Sequence, residues 1–469
     1  MNHNHKVITY VITVAITYFT LSFFANEVAV YVPSFKNVAL FADITTQSPV
    51  TQQPQQLAKN TFTPKPKQIF STFEKFENYT DSNAIIDFDG EKQSLAWQKL
   101  AQKLFDLSQN KKTKIRIAWL GDSQIEGDLI TQDIRKMLQS YFGNQKGVGF
   151  LPLQCVSSDL RATAATTLKG NFTPNHFKKN VENGVFLSGY SYFSPNLNVF
   201  LKDRIQKDST QIVEKWLLYG KGNPISIVQN GKEITHTATN HFNRILLDKS
   251  TSNSIAFSGK FPSTPVYGVS FEPESGIVVD NLSFRGITGV ELKSIQNELL
   301  QKLNEENYYD LVVFQYGVNM MFRAKDTNYD YYHKIMTPVL QKFKTQMPNP
   351  EYLVFSCSDR AFNYDGVWES AIGIDSLVKV QARLAFENKM PFYNLLSSMG
   401  GKGTMKKWCD TIPKLANKDY IHFNHRGAKV VAQIITKALL DEFKKAIDSK
   451  RNQLQKKLKT VHVKEKSNA

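Results

Sequence analysis

The run Ile115 to Ser123, IRIAWLGDS, constrains this chain most. It reads as a buried strand ending in Gly-Asp-Ser. After it, Ile130, Ile134, Leu138 and Tyr141 follow helical spacing, and Gly143-Asn144 is a helix stop. A serine at the turn from strand to helix is expected to have an exposed hydroxyl and a backbone N–H at the positive end of the helix, where an anion is stabilised. That is a place for a nucleophile. Gly-Asp-Ser is also an ordinary turn with an N-cap, so the rest of the chain has to decide between the two.

Two further runs, Leu311 to Tyr316 and Tyr352 to Cys357, are nearly continuous apolar strands, as expected where helices cover both faces of a sheet. A last helix from about Gly427 places Val430, Val431, Ile434, Ile435, Ala438 and Leu439 on one side. Strands alternating with helices imply an α/β fold with a parallel sheet, and ligands gather at the strand C-terminal ends. Ser123 and Asn319 sit at two such ends. Three short segments follow the first in order: SFRGITG at Ser283 to Gly289, DLVVFQYGVN at Asp310 to Asn319, and DYIH at Asp419 to His422.

Together the four segments resemble the blocks of the SGNH hydrolase superfamily, the GDSL esterases and lipases, over about Lys114 to Asn144 and Asn281 to Leu440. The resemblance implies an SGNH-type three-layer α/β fold. It also implies that Ser123 is the nucleophile, His422 the general base and acid, and Asp419 the carboxylate orienting the imidazole. The oxyanion hole would be the N–H of Ser123, the N–H of Gly289 and the side-chain amide of Asn319. Gly286 competes with Gly289, and the family's RGISG pattern favours the second glycine. His425 competes with His422, but only His422 has an aspartate at the matching spacing. Two positions depart from the pattern: Met320 stands where an acidic residue is common, and Gln124 where leucine is usual. Asp122 is read as stabilising the turn, and Glu126 and Asp128 as favouring the first turn of the following helix.

Other chemistries find no motif. The chain has no Gly-x-Ser-x-Gly elbow, no His-Glu-x-x-His zinc helix and no phosphate-binding Gly-x-x-x-x-Gly-Lys-Ser/Thr. GNQKGVG at Gly143 to Gly149 is read as a loop, and His236 and His241 lack metal-ligand neighbours. No metal and no cofactor are expected.

Between the first two blocks, residues 156–280 do not alternate strand with helix. Short β-like runs at Val185 to Phe193, Ile225 to Val228, Ile255 to Ser258 and Val266 to Phe271 are separated by Gly, Asn, Ser and Pro. We read this stretch as an inserted all-β domain. The arrangement is similar to that of bacterial peptidoglycan O-acetylesterases in which a carbohydrate-binding-module-like β-sandwich interrupts the catalytic domain. Tyr190, Tyr192, Phe193, Trp216, Tyr219 and Tyr267 are then either platforms for sugar rings or, more simply, core.

The N-terminus indicates export. Val7 to Ala25 is uncharged and apolar, long enough to span a bilayer, and no clean Ala-x-Ala site follows. A single-pass inner-membrane anchor is favoured over a cleaved signal peptide, which places the rest in the periplasm or cell envelope. Gln47 to Gln68, rich in Pro, Gln, Thr and Lys, suits a tether. The organisation is therefore an anchor or signal (1–25), a linker and extension (26–90), a first hydrolase segment (91–155), the β-rich insertion (156–280), a second hydrolase segment (281–445) and a basic tail (446–469). The three cysteines, Cys155, Cys357 and Cys409, imply no disulfide framework, although a single bridge is open to an exported chain. The net charge of +16 is concentrated partly in the tail, read as a solvated helical or disordered end. Nucleic acid is not an expected partner for an exported chain.

The resemblance implies an exported serine acetylesterase acting on an acetylated polysaccharide such as peptidoglycan. Two alternatives stay open: an O-acetyltransferase working with a membrane-bound O-acyltransferase, and a non-catalytic glycan-binding protein. An intact Ser123, Gly289, Asn319, Asp419 and His422 set argues against the last.

Overall fold

The computed structural model describes residues 96–179 and 184–467, together with 83–87, Tyr79 and Thr13. The expected anchor at Val7 to Ala25 and the tether at Gln47 to Gln68 lie outside the described residues. Among the described residues, no helix is long and apolar enough to cross a membrane.

Sixteen strands are described: β1 (Ile85–Ile86), β2 (Lys114–Gly121), β3 (Gly149–Leu151), β4 (Ala164–His176), β5 (Tyr190–Asp203), β6 (Val213–Tyr219), β7 (Ile225–Gln229), β8 (Lys232–His236), β9 (Asn243–Ser250), β10 (Ser254–Pro273), β11 (Gly276–Ser283), β12 (Leu311–Gln315), β13 (Glu351–Phe355), β14 (Ala361–Tyr364), β15 (Val367–Ser370) and β16 (Phe392–Tyr393). The central sheet runs β1-β16-β13-β12-β2-β11. Only β1 is antiparallel to its neighbour; β16, β13, β12, β2 and β11 pair in parallel.

Helices cover both faces of this sheet, and the pleat of β2 shows why the fold needs them. Ile115, Ile117 and Trp119 enter one core, and Ala118 and Leu120 the other, because successive side chains of a strand point to opposite faces. The first core is closed by α1 (Leu100–Ser108), α2 (Thr131–Tyr141) and the long C-terminal helix His425–Ser467, which packs on both of them. The second is closed by α3 (Asn297–Glu305), α4 (Asp330–Gln346) and α5 (Ile374–Glu387), packed in series. The short helices α6 (Leu395–Met399) and α7 (Thr404–Asp410) complete the chain before the C-terminal helix, α8. Through Ile447, α8 contributes buried side chains, and from Arg451 to Thr460 it is exposed. From Arg451 to Thr460 the basic tail is thus an exposed helical extension.

Three local expectations are corrected. Ser123 does not open a helix: a 3₁₀ turn at Glu126–Asp128 intervenes, and α2 starts only at Thr131. Positive φ at Gly127 (68°), Asp128 (69°) and Ile130 (63°) breaks the helical path, so helical spacing in the sequence extended further than the backbone allows. The run Val185 to Phe193 becomes a strand only from Tyr190. The two runs at Ile255 to Ser258 and Val266 to Phe271 are one strand, β10. Its first half pairs with β5 and β7, and its second with β6 and β3. Pro262 and Pro265 fall where the register shifts, since a proline cannot donate to the ladder.

Strand β10 organises an antiparallel sheet ordered β4-β5-β10-β6-β9, with β3 also on β10 and the β7-β8 hairpin attached through β7. Of the candidate sugar platforms, Tyr190, Tyr192, Tyr219 and Tyr267 are buried, and the half-buried Trp216 lies under the Arg244 guanidinium at 3.8 Å. They pack into the same contiguous core as Phe314 and Met336, so core-filling is the role the structure gives them. All three cysteines are free.

Candidate active site

The site is built at the C-terminal ends of β2, β11 and β12. Gly121 closes β2 where space runs out: an added Cβ would lie 2.7 Å from Ile125 Cδ1 and 3.0 Å from Gln315 O. Asp122 then folds the chain back, its Oδ1 accepting from the Gln124 N–H at 2.9 Å, the turn role expected of it. This leaves Ser123 half-buried at the tip.

The histidine arrives on the loop between α7 and α8. Asp419 organises that loop with one carboxylate oxygen and addresses the ring with the other. Its Oδ1 accepts from the N–H groups of Ile421 and His422, both at 3.0 Å, and its Oδ2 lies 2.7 Å from His422 Nδ1. The Asp-x-x-His spacing has a physical basis, because three residues are what lets a carboxylate cap its own turn and still reach the imidazole. His422 Nε2 is 2.8 Å from Ser123 Oγ. Partial burial pushes the Asp419 carboxyl up, but the hydrogen bonds from His422 and Ile421 outweigh it and hold it below its ordinary value. His425 opens α8 and lines the same cavity without entering the Ser123–His422–Asp419 chain.

Asn319 stands in the 3₁₀ turn Val318–Met320, after Gly317 at φ 127°. Its Nδ2 donates to Ile287 O at 2.9 Å, which fixes the amide against the β11 loop. Burial pushes the Asp122 carboxyl up to about 7, against hydrogen bonds from the Gln124 N–H and the Asn319 amide. Because the folded state holds that proton more tightly than the unfolded chain, Asp122 contributes stability that is full below the ordinary carboxylate range and is lost as pH rises through about 7. Asp122→Asn, which keeps an acceptor for Gln124, is expected to flatten the decline of melting temperature between about pH 4 and 7. Thermal denaturation across that range checks this.

The two glycines of the SFRGITG segment differ in position. Gly286 lines the cavity, whereas Gly289 is set deeper at φ 93°, where an added Cβ would meet the Tyr316 ring at 2.9 Å and the Met336 methyl at 3.2 Å. Gly289→Ala is expected to cost about 1–3 kcal/mol from backbone strain and this contact, measurable as a lower urea midpoint.

The cavity holds about 640 Å³ and opens to solvent over Ser123, His422 and Asn319. Residues that the motifs did not single out as its walls include Gln124, Glu126, Ser157, Arg285 and Asn417. Gln124, a departure from the family pattern, donates from Nε2 to Ile421 O at 3.2 Å and to Ser358 Oγ, tying the serine turn to the histidine loop. Glu126 and Asp128 do not serve a helix N-terminus. Glu126 is nearly buried and pairs with Arg285 Nε at 2.6 Å. Asp128 is fully buried and bidentate to Arg135 at 2.7 and 2.8 Å, with Thr131 Oγ1 at 2.7 Å, Thr163 Oγ1 at 2.6 Å and Arg161 at 3.2 Å. The left-handed turn at Gly127 and Asp128 points these carboxylates inward. No group of three or more possible metal ligands occurs among the described residues.

The fold is a three-layer α/β arrangement with a mostly parallel sheet, and these segments stand at its strand ends. A solved peptidoglycan O-acetylesterase superposes with a TM-score of 0.60 over 77% of this chain and 99% of its own, at 18% identity. An acetylxylan esterase from Geobacillus stearothermophilus aligns over 36% of this chain and 74% of its own, at 18% identity and a TM-score of 0.26. A family two carbohydrate esterase from Cellvibrio japonicus aligns over 60% and 99%, at 9% identity and a TM-score of 0.25. No family model and no curated protein matches the sequence.

Proposed function

We propose that this protein is an exported serine esterase that removes O-acetyl groups from a cell-envelope polysaccharide. The observation carrying this reading is the continuous chain from Ser123 Oγ through the His422 ring to the Asp419 carboxylate, at 2.8 and 2.7 Å, at the floor of an open cavity. The likeness in fold to a peptidoglycan O-acetylesterase supports the substrate class.

In this mechanism His422 Nε2 takes the Ser123 proton as Oγ attacks the acetyl carbonyl carbon, and the carbonyl π electrons move to the oxygen. The family resemblance assigns the resulting oxyanion to the N–H groups of Ser123 and Gly289 and to the Asn319 amide. Gly286 is the glycine that lines the cavity, and Asn319 Nδ2, bonded to Ile287 O and to Asp122, must release one of them to serve. Because Ser123 does not open a helix, these donors act without the pull of a helix terminus behind them. The tetrahedral carbon expels the sugar oxygen, which takes the proton from His422. Water, deprotonated by the same imidazole, then attacks the acetyl-Ser123 ester, and acetate leaves as Oγ regains its proton. Asp419 keeps the tautomer in which Nε2 can accept. The segment Val7 to Ala25 would supply the export step, as anchor or signal, and the β-rich stretch ahead of β11 would present the glycan.

The test is acetate release from acetylated glycan oligomers and from a chromogenic acetyl ester. Ser123-dependent release into water supports an esterase. Transfer of acetyl to an added sugar in place of release would make the protein a transferase, and no Ser123-dependent turnover with any ester or acceptor would overturn the enzymatic reading.

A further inference from the structure

We propose that Arg285 on the wall of the Ser123 cavity, with Lys178 beside its rim at Gly286, forms an anion subsite, so that the preferred substrate is an acetylated glycan carrying a carboxylate near the ester. This rests on the esterase reading for the word substrate, but not for the site itself.

Arg285 lines the cavity, and its side chain is 57% exposed. Glu126 grips it by one edge only, at Nε. The two terminal nitrogens make no hydrogen bond to any described residue, although a guanidinium normally engages a carboxylate through a paired N–H fork. Glu126 therefore acts as a bracket, fixing the arginine while leaving four N–H donors for a ligand.

Lys178 comes from the connection between β4 and β5 and brings the second cation. Its Nζ reaches Arg285 O at 3.4 Å and would lie 3.4 Å from a Cβ placed on the cavity-lining Gly286. Among the described residues, no carboxylate pairs with it. Of the charged or titratable groups that line the cavity with Arg285, Asp419 is engaged by His422, Glu126 by Arg285, and His422 and His425 add no negative charge. The terminal nitrogens of Arg285 carry free donors beside its pairing with Glu126, and the Lys178 ammonium near Gly286 has no carboxylate among the described residues, so an anion reaching both gains hydrogen bonds and Coulomb energy. A neutral sugar would leave both facing water.

The probe is trigalacturonate against its uncharged methyl ester, bound to the full chain carrying Ser123→Ala, by titration calorimetry. The acid is expected to bind at least about tenfold tighter, with the advantage falling several-fold in Arg285→Gln and in Lys178→Gln and shrinking with added salt. Arg285→Lys should recover only a fraction, since it restores charge without the fork. Equal binding of the two probes, binding of neither, or an advantage untouched by both Gln substitutions, as the basic α8 extension would give, overturns the subsite. In the unsubstituted protein, absent acetate release with this preference intact would defeat the esterase reading alone.

Discussion

Ser123→Ala is expected to lower kcat for acetate release by roughly 10⁴- to 10⁶-fold while the protein remains folded. The reason lies in the geometry: Oγ is the only serine oxygen hydrogen-bonded to His422 among the described residues, and the ring is already committed to Asp419 through Nδ1. His422→Ala should cost about as much. The Ser123→Ala/His422→Ala pair should cost little more than either alone, because the groups act as a unit. Asp419→Asn should lose roughly 10⁴-fold, because an amide at that position favours the wrong tautomer of the ring. Asp419 also caps the loop through Oδ1, so its removal displaces His422 as well as uncharging its partner. Steady-state kinetics on one ester, with circular dichroism to verify folding, checks the series. Additive losses in the double variant would sink the relay.

Asp128→Ala is expected to destabilise the fold by about 3–5 kcal/mol, among the largest effects a single substitution produces. Its carboxylate is fully buried against Arg135 and Arg161, and its removal leaves both guanidinium groups in the core without a counter-charge. Arg135 also donates to Val279 O at 2.9 Å, so the cluster connects the turn behind Ser123 to β11. Thr163, just ahead of β4, donates to the same carboxylate, which joins the β-rich stretch to the turn. Burial pushes the Asp128 carboxyl up, but the two arginines outweigh it and hold the group well below its ordinary range. The sign follows: the unfolded chain binds this proton more readily, so Asp128 adds stability above the ordinary carboxylate pKa that is lost as pH falls below it. The loss in the variant should be read as a shifted urea midpoint at pH 7 that narrows toward pH 3. A variant stability within about 0.5 kcal/mol of wild type would show that the cluster is not coupled to global stability.

That Ser123, Asn319 and His422 meet at one cavity was legible because each sits in a segment with a fixed local geometry. An Asp-x-x-His turn writes its own spacing, and a glycine such as Gly121 is required where the strand end meets Ile125 and Gln315 O. The apolar runs of β2, β12 and β13 were legible for a related reason, since a strand covered on both faces has no polar side to show. What failed did so where long-range contacts override local pattern. Helical spacing after Ser123 could not reveal that Gly127, Asp128 and Ile130 turn left-handed, because the arginines that stabilise the inward turn arrive from 135 and 161. The role of Glu126 depended on Arg285, 159 residues away.

The same division separates the candidate sugar platforms from the core. Tyr190, Tyr192, Tyr219 and Tyr267 carry identical side chains whether they stack on a ligand or on one another, and only the packing of β5, β6 and β10 against the α/β layers placed them inside. Read along the chain, the residues specify the strand-turn serine, the order of the blocks, the Asp-x-x-His spacing and the cation content. Folding adds which helix terminus the serine lacks, which carboxylates are buried and that Arg285 lines the cavity. Local spacing encodes what neighbours along the chain must do, whereas burial and charge pairing are set by residues that meet only after folding.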